Sequence, residues 1–358
     1  MSVLVKLPPE VIFLIEAARS APSADNSQPW CFYWDGSTLT GRVHRRGGFP
    51  TDYHATKLAL GAASENLSRA MQFLGLDLAS WYLGVPEEDG IFARGPISRE
   101  TNVIEPSSTP LWKLRHTNRL PYCPEIDQGI SKQLASCRVD KIGVEIFCGA
   151  GIQQAAEWIR RTSEIRFQTR EVHEWFVSSL RYGISAEDMS SGLHVNTLAL
   201  PRGGVWLLKL MSDWSNMRWL NRMKIYKLFA AIEAANFQKT PLVVAIIGPS
   251  DNDSAFNAGR CLQQVWLRVT ELGLSAHPYY VVSDLLNRLE SGGVPTQCMA
   301  QALDLQDHIR ASLGRAVTLH CLLRVGKPVG RIQISGRLPI NNLMCTTTNN
   351  TDNVKNAP

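Results

Sequence analysis

What this chain lacks narrows its chemistry before any motif is considered. Its eight cysteines are scattered over 358 residues with no C-x-x-C pair and no dense spacing, the patterns that a redox motif or a disulfide framework would need. Most of them sit in apolar company, where a free thiol behaves as a small hydrophobe, and a reducing compartment fits that usage best. Charges interrupt every apolar run before it reaches membrane-spanning length, and the N-terminus has no basic segment leading into an apolar core. The expectation is a cytoplasmic protein without an integral membrane segment. No convincing nucleophile triad and no ligand-spaced His/Cys cluster stands out, so no metal site and no catalytic side chain is nominated.

What is present is ordinary in bulk and uneven in detail. An apolar fraction of 44% with 19% charged residues suits a soluble globular protein, and the length allows one large domain or two smaller ones. Ten tryptophans favour a ligand pocket or a large buried interface, although core packing alone could absorb them. The net charge of +5 is concentrated in residues 202–227, where Arg202, Lys209, Arg218, Arg222, Lys224 and Lys227 face Asp213 alone. A basic patch this local argues against general nucleic-acid binding.

Along the chain, Pro8-Pro9 predicts a helix ending near Arg19, followed by a polar loop and two strands, Cys31–Trp34 and Thr38–His44, joined by the hairpin signal Asp35-Gly36. Residues 52–74 carry Ala and Leu at helical spacing and end at Gly75, and Asp77–Leu83 reads as a strand. Residues 100–111 read as a connector. Then come a helix over 127–136, a strand at Val144–Cys148, a long helix from 151, a loop over 183–204 and a basic helical segment at 205–237. A buried strand at Pro241–Gly248, a helix from Ala258 closed by Gly273, a helix near 299–312 and a last strand at Thr318–Val325 complete the order. The Asn- and Thr-rich end, residues 341–358, reads as a disordered tail. Hairpin-joined strands among helices favour α+β, and no strong internal repeat is visible, although a duplicated architecture is plausible.

Two polar stretches carry the chemistry. Ser20-Ala21-Pro22-Ser23-Ala24-Asp25-Asn26-Ser27-Gln28-Pro29-Trp30 sets hydroxyls and amides on a backbone stiffened by two prolines, a surface suited to a flat, heteroatom-rich ligand or to a well-capped turn. Arg115-His116-Thr117-Asn118-Arg119 puts two guanidiniums four residues apart with a hydroxyl between, a charge-assisted clamp for phosphate or merely a solvated surface.

Together these stretches resemble the nitroreductase-like flavoproteins, which use FMN. Ala21, Pro22, Ser23, Asn26, Gln28, Pro29 and Trp30 match the A-P-S-x-x-N-x-Q-P-W motif, and residues 115–119 are similar to the R-[RH]-[ST]-x-[RK] phosphate-binding start. In that family the two motifs meet from different subunits of a homodimer. Here the loop comes first, the basic motif follows about ninety residues later, and neither recurs. The order resembles the long Acg-like branch, in which two halves are fused. Asp52–Gly75 with Gly61, Glu65 and Asn66, then Gly259-Arg260 with Leu262-Gln263, Leu272-Gly273-Leu274-Ser275-Ala276, Leu323-Arg324-Val325-Gly326 and Ser335–Pro339 also resemble that branch.

The resemblance implies a nitroreductase-like α+β fold built as a fused intrachain pseudo-dimer. Its halves would be residues 1–110 and 111–340, the second with a basic helical insertion at about 202–237 that covers the pocket as a lid, lies on a membrane surface or simply packs as a solvated helix. It implies FMN held by Pro22, Ser23, Asn26, Gln28, Arg115, His116, Thr117, Arg119 and Arg337, with the arginines on the phosphate and the amides along the ribityl chain and ring edge. The implied activity is an FMN-dependent oxidoreductase passing hydride through flavin N5, from NAD(P)H to a small organic acceptor. The alternatives are an FMN-sequestering protein without turnover and a biosynthetic flavin dehydrogenase. Either a monomer or a homodimer is compatible. The family's Asp-Gly is not clear after Glu174-Trp175-Phe176, so the loop facing N5 is unplaced. Gly149-Ala150-Gly151 imitates a dinucleotide fingerprint without its third glycine, and His173 and His194 are candidate proton donors.

Overall fold

Proline at the first helical position starts α1 (Pro9–Arg19), whose Val11, Leu14, Ile15 and Ala18 form a buried stripe at helical spacing. The computed structural model describes residues 7–46, 50–97, 108–251, 253–330 and 333–345. After the polar loop, β1 (Trp30–Trp34) and β2 (Thr38–Val43) form the expected hairpin. Its turn is held by Asp35 Oδ1, which accepts from the N–H groups of Ser37 and Thr38 at 2.8 Å each, with Gly36 at φ 102°. Helix α2 (His54–Phe73) follows, then β3 (Tyr82–Leu83) and β4 (Ile91–Pro96). These strands make an antiparallel sheet in the order β1-β2-β4-β3.

The remainder runs through α3 (Leu111–Leu114), α4 (Gln128–Ala135), β5 (Gly143–Phe147), α5 (Ala150–Arg166), α6 (Arg170–Ser179), β6 (Leu180–Arg181), α7 (Ala186–Ser190) and β7 (Leu193–His194). Three helices then stand where one basic helical segment was expected: α8 (Gly204–Met211), α9 (Trp214–Arg222) and α10 (Ile225–Gln238). Asp213 caps α9 by accepting from Ser215 N–H, and Lys224 in the left-handed region breaks the chain before α10. Next come β8 (Leu242–Gly248), α11 (Ser254–Glu271), β9 (Ser275–Tyr279), α12 (Val281–Ser291), α13 (Met299–Leu313) and β10 (Thr318–Gly326). The second sheet is antiparallel throughout, in the order β5-β8-β10-β9.

The two sheets therefore share one topology: first, second, fourth and third strand in chain order. In each, a long helix links the second strand to the third, and these helices, α2 and α11, pack on each other at the centre. Their contact is reciprocal. A Cβ on Gly61 would lie 1.9 Å from Phe256 O, and one on Gly259 would lie 2.0 Å from Leu58 O. Both helices end in the same cap, with Gly75 at φ 67° and Gly273 at φ 69°. In each the next leucine closes the turn: Leu76 N–H donates to Met71 O and Leu274 N–H to Val269 O, both at 3.0 Å. Buried amides lock the pair: Gln263 Nε2 donates to Asn66 Oδ1 at 2.7 Å, and Asn66 Nδ2 to Ala17 O at 2.8 Å. Glu65 is buried against Arg69 (3.0 Å) and Arg260 (3.5 Å). The expected motif residues Gly61, Glu65 and Asn66 thus form the joint of the frame.

Three expectations need correction. Asp77–Leu83 is mostly a tight turn, Leu78–Ser80, with only Tyr82–Leu83 paired as strand, because Asp77 caps the turn through Ala79 N–H. The chain stays packed past residue 341: Leu343 is fully buried and Cys345 N–H donates to Phe32 O at 2.7 Å. Cys345 is also bonded to Cys31, with their Cα atoms 5.9 Å apart, so these two thiols are not free and cysteine usage no longer favours a reducing compartment. Residues 346–358 of the expected tail, and 98–107 at the expected connector, lie outside the described residues.

Candidate functional site

The loop after α1 is bent by its own polar side chains. Asp25, Asn26 and Gln28 all adopt positive φ, at 50°, 56° and 51°, a conformation that costs non-glycine residues roughly 1 kcal/mol each. Hydrogen bonds offset that strain. Gln28 N–H donates to Ser23 Oγ (3.0 Å), Gln28 Nε2 to Ser190 O (2.9 Å), and Leu338 N–H to Gln28 Oε1 (2.9 Å). Asn26 Nδ2 donates to Gly336 O (3.3 Å), while Asn26 Oδ1 accepts from Arg337 Nη1 at 2.9 Å.

This loop forms one wall of a cavity of about 650 Å³, a size suited to a cofactor or drug-sized ligand. Leu58 and Ala59 of α2 and Leu262 and Trp266 of α11 form its floor. Pro22, Ser23, Asn26, Arg115, His116, Thr117, Arg119 and Arg337 all line it, so eight of the nine expected ligand-binding residues share one space. Gln28 does not: it is fully buried with both amide atoms engaged. Its role is to hold the loop rather than to face a ligand.

The basic motif lies outside any helix. Residues 115–119 are extended, with Arg115 at φ −63° and ψ 126° and Thr117 bridged to Ala276. Four residues of extended chain span about 13 Å, where a helix would bring the two side chains together. Arg115 and Arg337 line the same cavity. Arg115 is 4% exposed, donates from Nη2 to Ser20 O at 2.9 Å and stacks 4.4 Å over Trp266. Its Nε and Nη1, and Nε of Arg337, are buried without a partner among the described residues. Burial and mutual repulsion push Arg115 well below the usual arginine range, and burial brings Arg337 down to about 10. Arg119 faces the Asp25 side and donates to Thr197 O at 3.1 Å. The Asp25 carboxyl is pushed up to about 6 by burial, which outweighs its bond to Ser179 and the nearby Arg119 and Arg166.

Of the two histidine candidates, His173 reaches the cavity and pairs with Ser212 O at 3.2 Å. His194 does not: Nε2 faces Gly183 O at 2.8 Å and Nδ1 accepts from Asn196 N–H, so it is a satisfied structural residue. The basic helical segment supplies a further wall through Leu208, Met211 and Met217.

Sequence reasoning missed the opposite rim, Tyr280 and Asp284. Tyr280 begins a chain of 3.0 Å contacts through His54 and His320 to Pro249 O. A carbonyl only accepts, so His320 donates from Nε2, His54 donates to His320 Nδ1, and the Tyr280 hydroxyl donates to His54 Nδ1. Burial holds both rings neutral, with His54 down at about 3 and His320 at about 4. No local motif announces this chain, since its members lie far apart in sequence.

The chain resembles solved nitroreductase-like structures. It aligns with a nitroreductase-like family protein from Bacillus cereus at a TM-score of 0.37 and 11% identity, covering 68% of this chain and 99% of that one. A BluB-like flavoprotein from Clostridium difficile aligns at 0.38 and 11%, covering 67% and 99%. The FMN-dependent nitroreductase NfnB from Mycobacterium smegmatis, solved in complex with NADPH, aligns at 0.35 and 16%, covering 63% and 92%. No protein-family model and no curated protein matches the chain.

Proposed function

We propose that this cavity holds FMN and that the chain is an FMN-dependent oxidoreductase. The observation that carries the reading is the buried Arg115, with Nε and Nη1 unpartnered among the described residues, together with the half-buried Arg337, whose Nε is likewise unpartnered, both lining a cavity walled by the Pro22–Asn26 loop. Two guanidiniums with N–H groups unpartnered on one cavity call for an anion, and a phosphate monoester supplies the charge and the acceptors. Arg115 and Arg337 would hold the phosphate, with Ser23, Asn26, His116 and Thr117 along the remaining polar wall. Arg119 would serve the other end, beside Asp25. FMN bound there supplies hydride acceptance at N5 and electron transfer to a second substrate. Leu58, Trp266, Leu208 and Met217 exclude water from the same space. NAD(P)H is the proposed donor and a small organic molecule the acceptor. The proposed organisation is two fused halves, 1–110 and 111–340, acting as one internal pair.

Anaerobic mixing of the FMN-loaded protein with NADPH, followed by a quinone or nitroaromatic, tests the reading. Bleaching of the yellow colour and its recovery on adding acceptor are expected. A protein that stays yellow holds FMN without turnover, and one that takes up no FMN removes the proposal.

A further inference from the structure

We propose that the helical layer α8–α10 docks this protein on the surface of an anionic lipid bilayer. The layer is apolar where a solvated layer would be polar. Helix α8, Gly-Val-Trp-Leu-Leu-Lys-Leu-Met, has no buried residue at all, and Trp206 is 70% exposed. Trp219 on α9 is 58% exposed and Met223 after it 55%. On α10, Leu228 and Ile232 stand one turn apart at 56% and 51% exposure. Successive helices touch, α8 on α9 and α9 on α10, so these side chains belong to one continuous layer. An apolar surface of this extent on a soluble protein marks an interaction site.

The charge says what covers it. Arg202, Lys209, Arg218, Arg222, Lys224 and Lys227 are all exposed, and none forms an ion pair among the described residues. Cations without a carboxylate partner among the described residues, interleaved with exposed Trp, Leu, Ile and Met, match a surface that is negative over a broad area and apolar beneath it. Tryptophan partitions to that boundary and basic side chains reach the head groups. A nucleic acid would use the cations and leave Leu228 and Ile232 exposed. No helix among the described residues is long and apolar enough to cross a membrane, so the attachment is interfacial.

Flotation of the full chain with phosphatidylcholine vesicles, with and without phosphatidylglycerol, tests this. The chain is expected to float only with the anionic vesicles and to be released by high salt. Trp206→Ser with Trp219→Ser is expected to abolish flotation, and Lys224→Gln with Lys227→Gln to weaken it by on the order of tenfold. Circular dichroism checks that both variants remain folded. Absence of flotation by the folded wild type overturns the proposal, as does equal flotation with both vesicle types. So does sedimentation showing a dimer that the double-tryptophan variant dissociates, which would assign the face to a second copy.

Discussion

The two sides of the central helix pair make an instructive contrast. The frame is duplicated, with Gly61 against Phe256 and Gly259 against Leu58, yet the two sides end differently. Leu58 borders the cavity of about 650 Å³. Phe256, its counterpart across the pair, is 2% exposed and packs into the first core with residues of α1, α2 and β1. One side is open and cationic, the other filled by a phenyl ring. Among the described residues the shared frame thus has a cavity beside Leu58 and a packed ring at the equivalent Phe256.

The contrast breaks most completely at the shared joint. Gly61→Ala drives a methyl into backbone that is itself packed, and a loss of about 3–5 kcal/mol is expected in denaturant unfolding, with both sheets melting together. Phe256→Ala is expected to cost about 3–4 kcal/mol by opening a void on the filled side, while FMN uptake at the open side persists. The C-terminal tether sharpens the comparison further, since among the described residues it reaches the first sheet through Cys31. Cys345→Ser should lower stability by about 2–4 kcal/mol in non-reducing buffer, with no difference from the wild type once reductant is present.

The smallest effect concerns Asp25. Its folded-state value of about 6 lies above the ordinary 3.8, so the folded protein binds the extra proton between those limits. Its contribution is therefore most favourable below pH 4, is lost as pH rises towards 6, and changes little above that. Because the carboxyl is partly open to the cavity, Asp25→Asn should raise the stability of the FMN-free protein by only about 1–2 kcal/mol above pH 6, and not at all below pH 4. A melting series across that range checks it.

How much of this was legible follows from how local each signal is. The Asp35-Gly36 hairpin and the Gly75 and Gly273 caps are set by neighbouring residues and fold as read, whereas the polar loop is also held from Ser190, Gly336, Arg337 and Leu338. Strand β4 escaped notice because Gly95 and Pro96 interrupt its pattern. Gly95 is there for Trp81, whose ring would lie 2.2 Å from a Cβ at that position. Helix α12 was missed between clearer neighbours. The repeat was present in Gly61 with Leu74-Gly75-Leu76 and Gly259 with Leu272-Gly273-Leu274 at equal spacing. Too few identities surround those positions for the match to show. Spacing alone does not say whether residues 115–119 are helical or extended, so the backbone of the basic motif was not legible. The disulfide and the Tyr280–His54–His320 chain join residues hundreds of positions apart, which no local pattern reports.

The central claim is that Arg115 at the open side takes a phosphate. Titration of FMN into the unfolded-state-checked, folded apoprotein measures this directly by the change in flavin fluorescence. Wild type is expected to bind one FMN per chain, and Arg115→Ala to bind it roughly a hundredfold more weakly while keeping its fold, the loss of a charge-assisted contact. Unchanged affinity in Arg115→Ala would contradict the account.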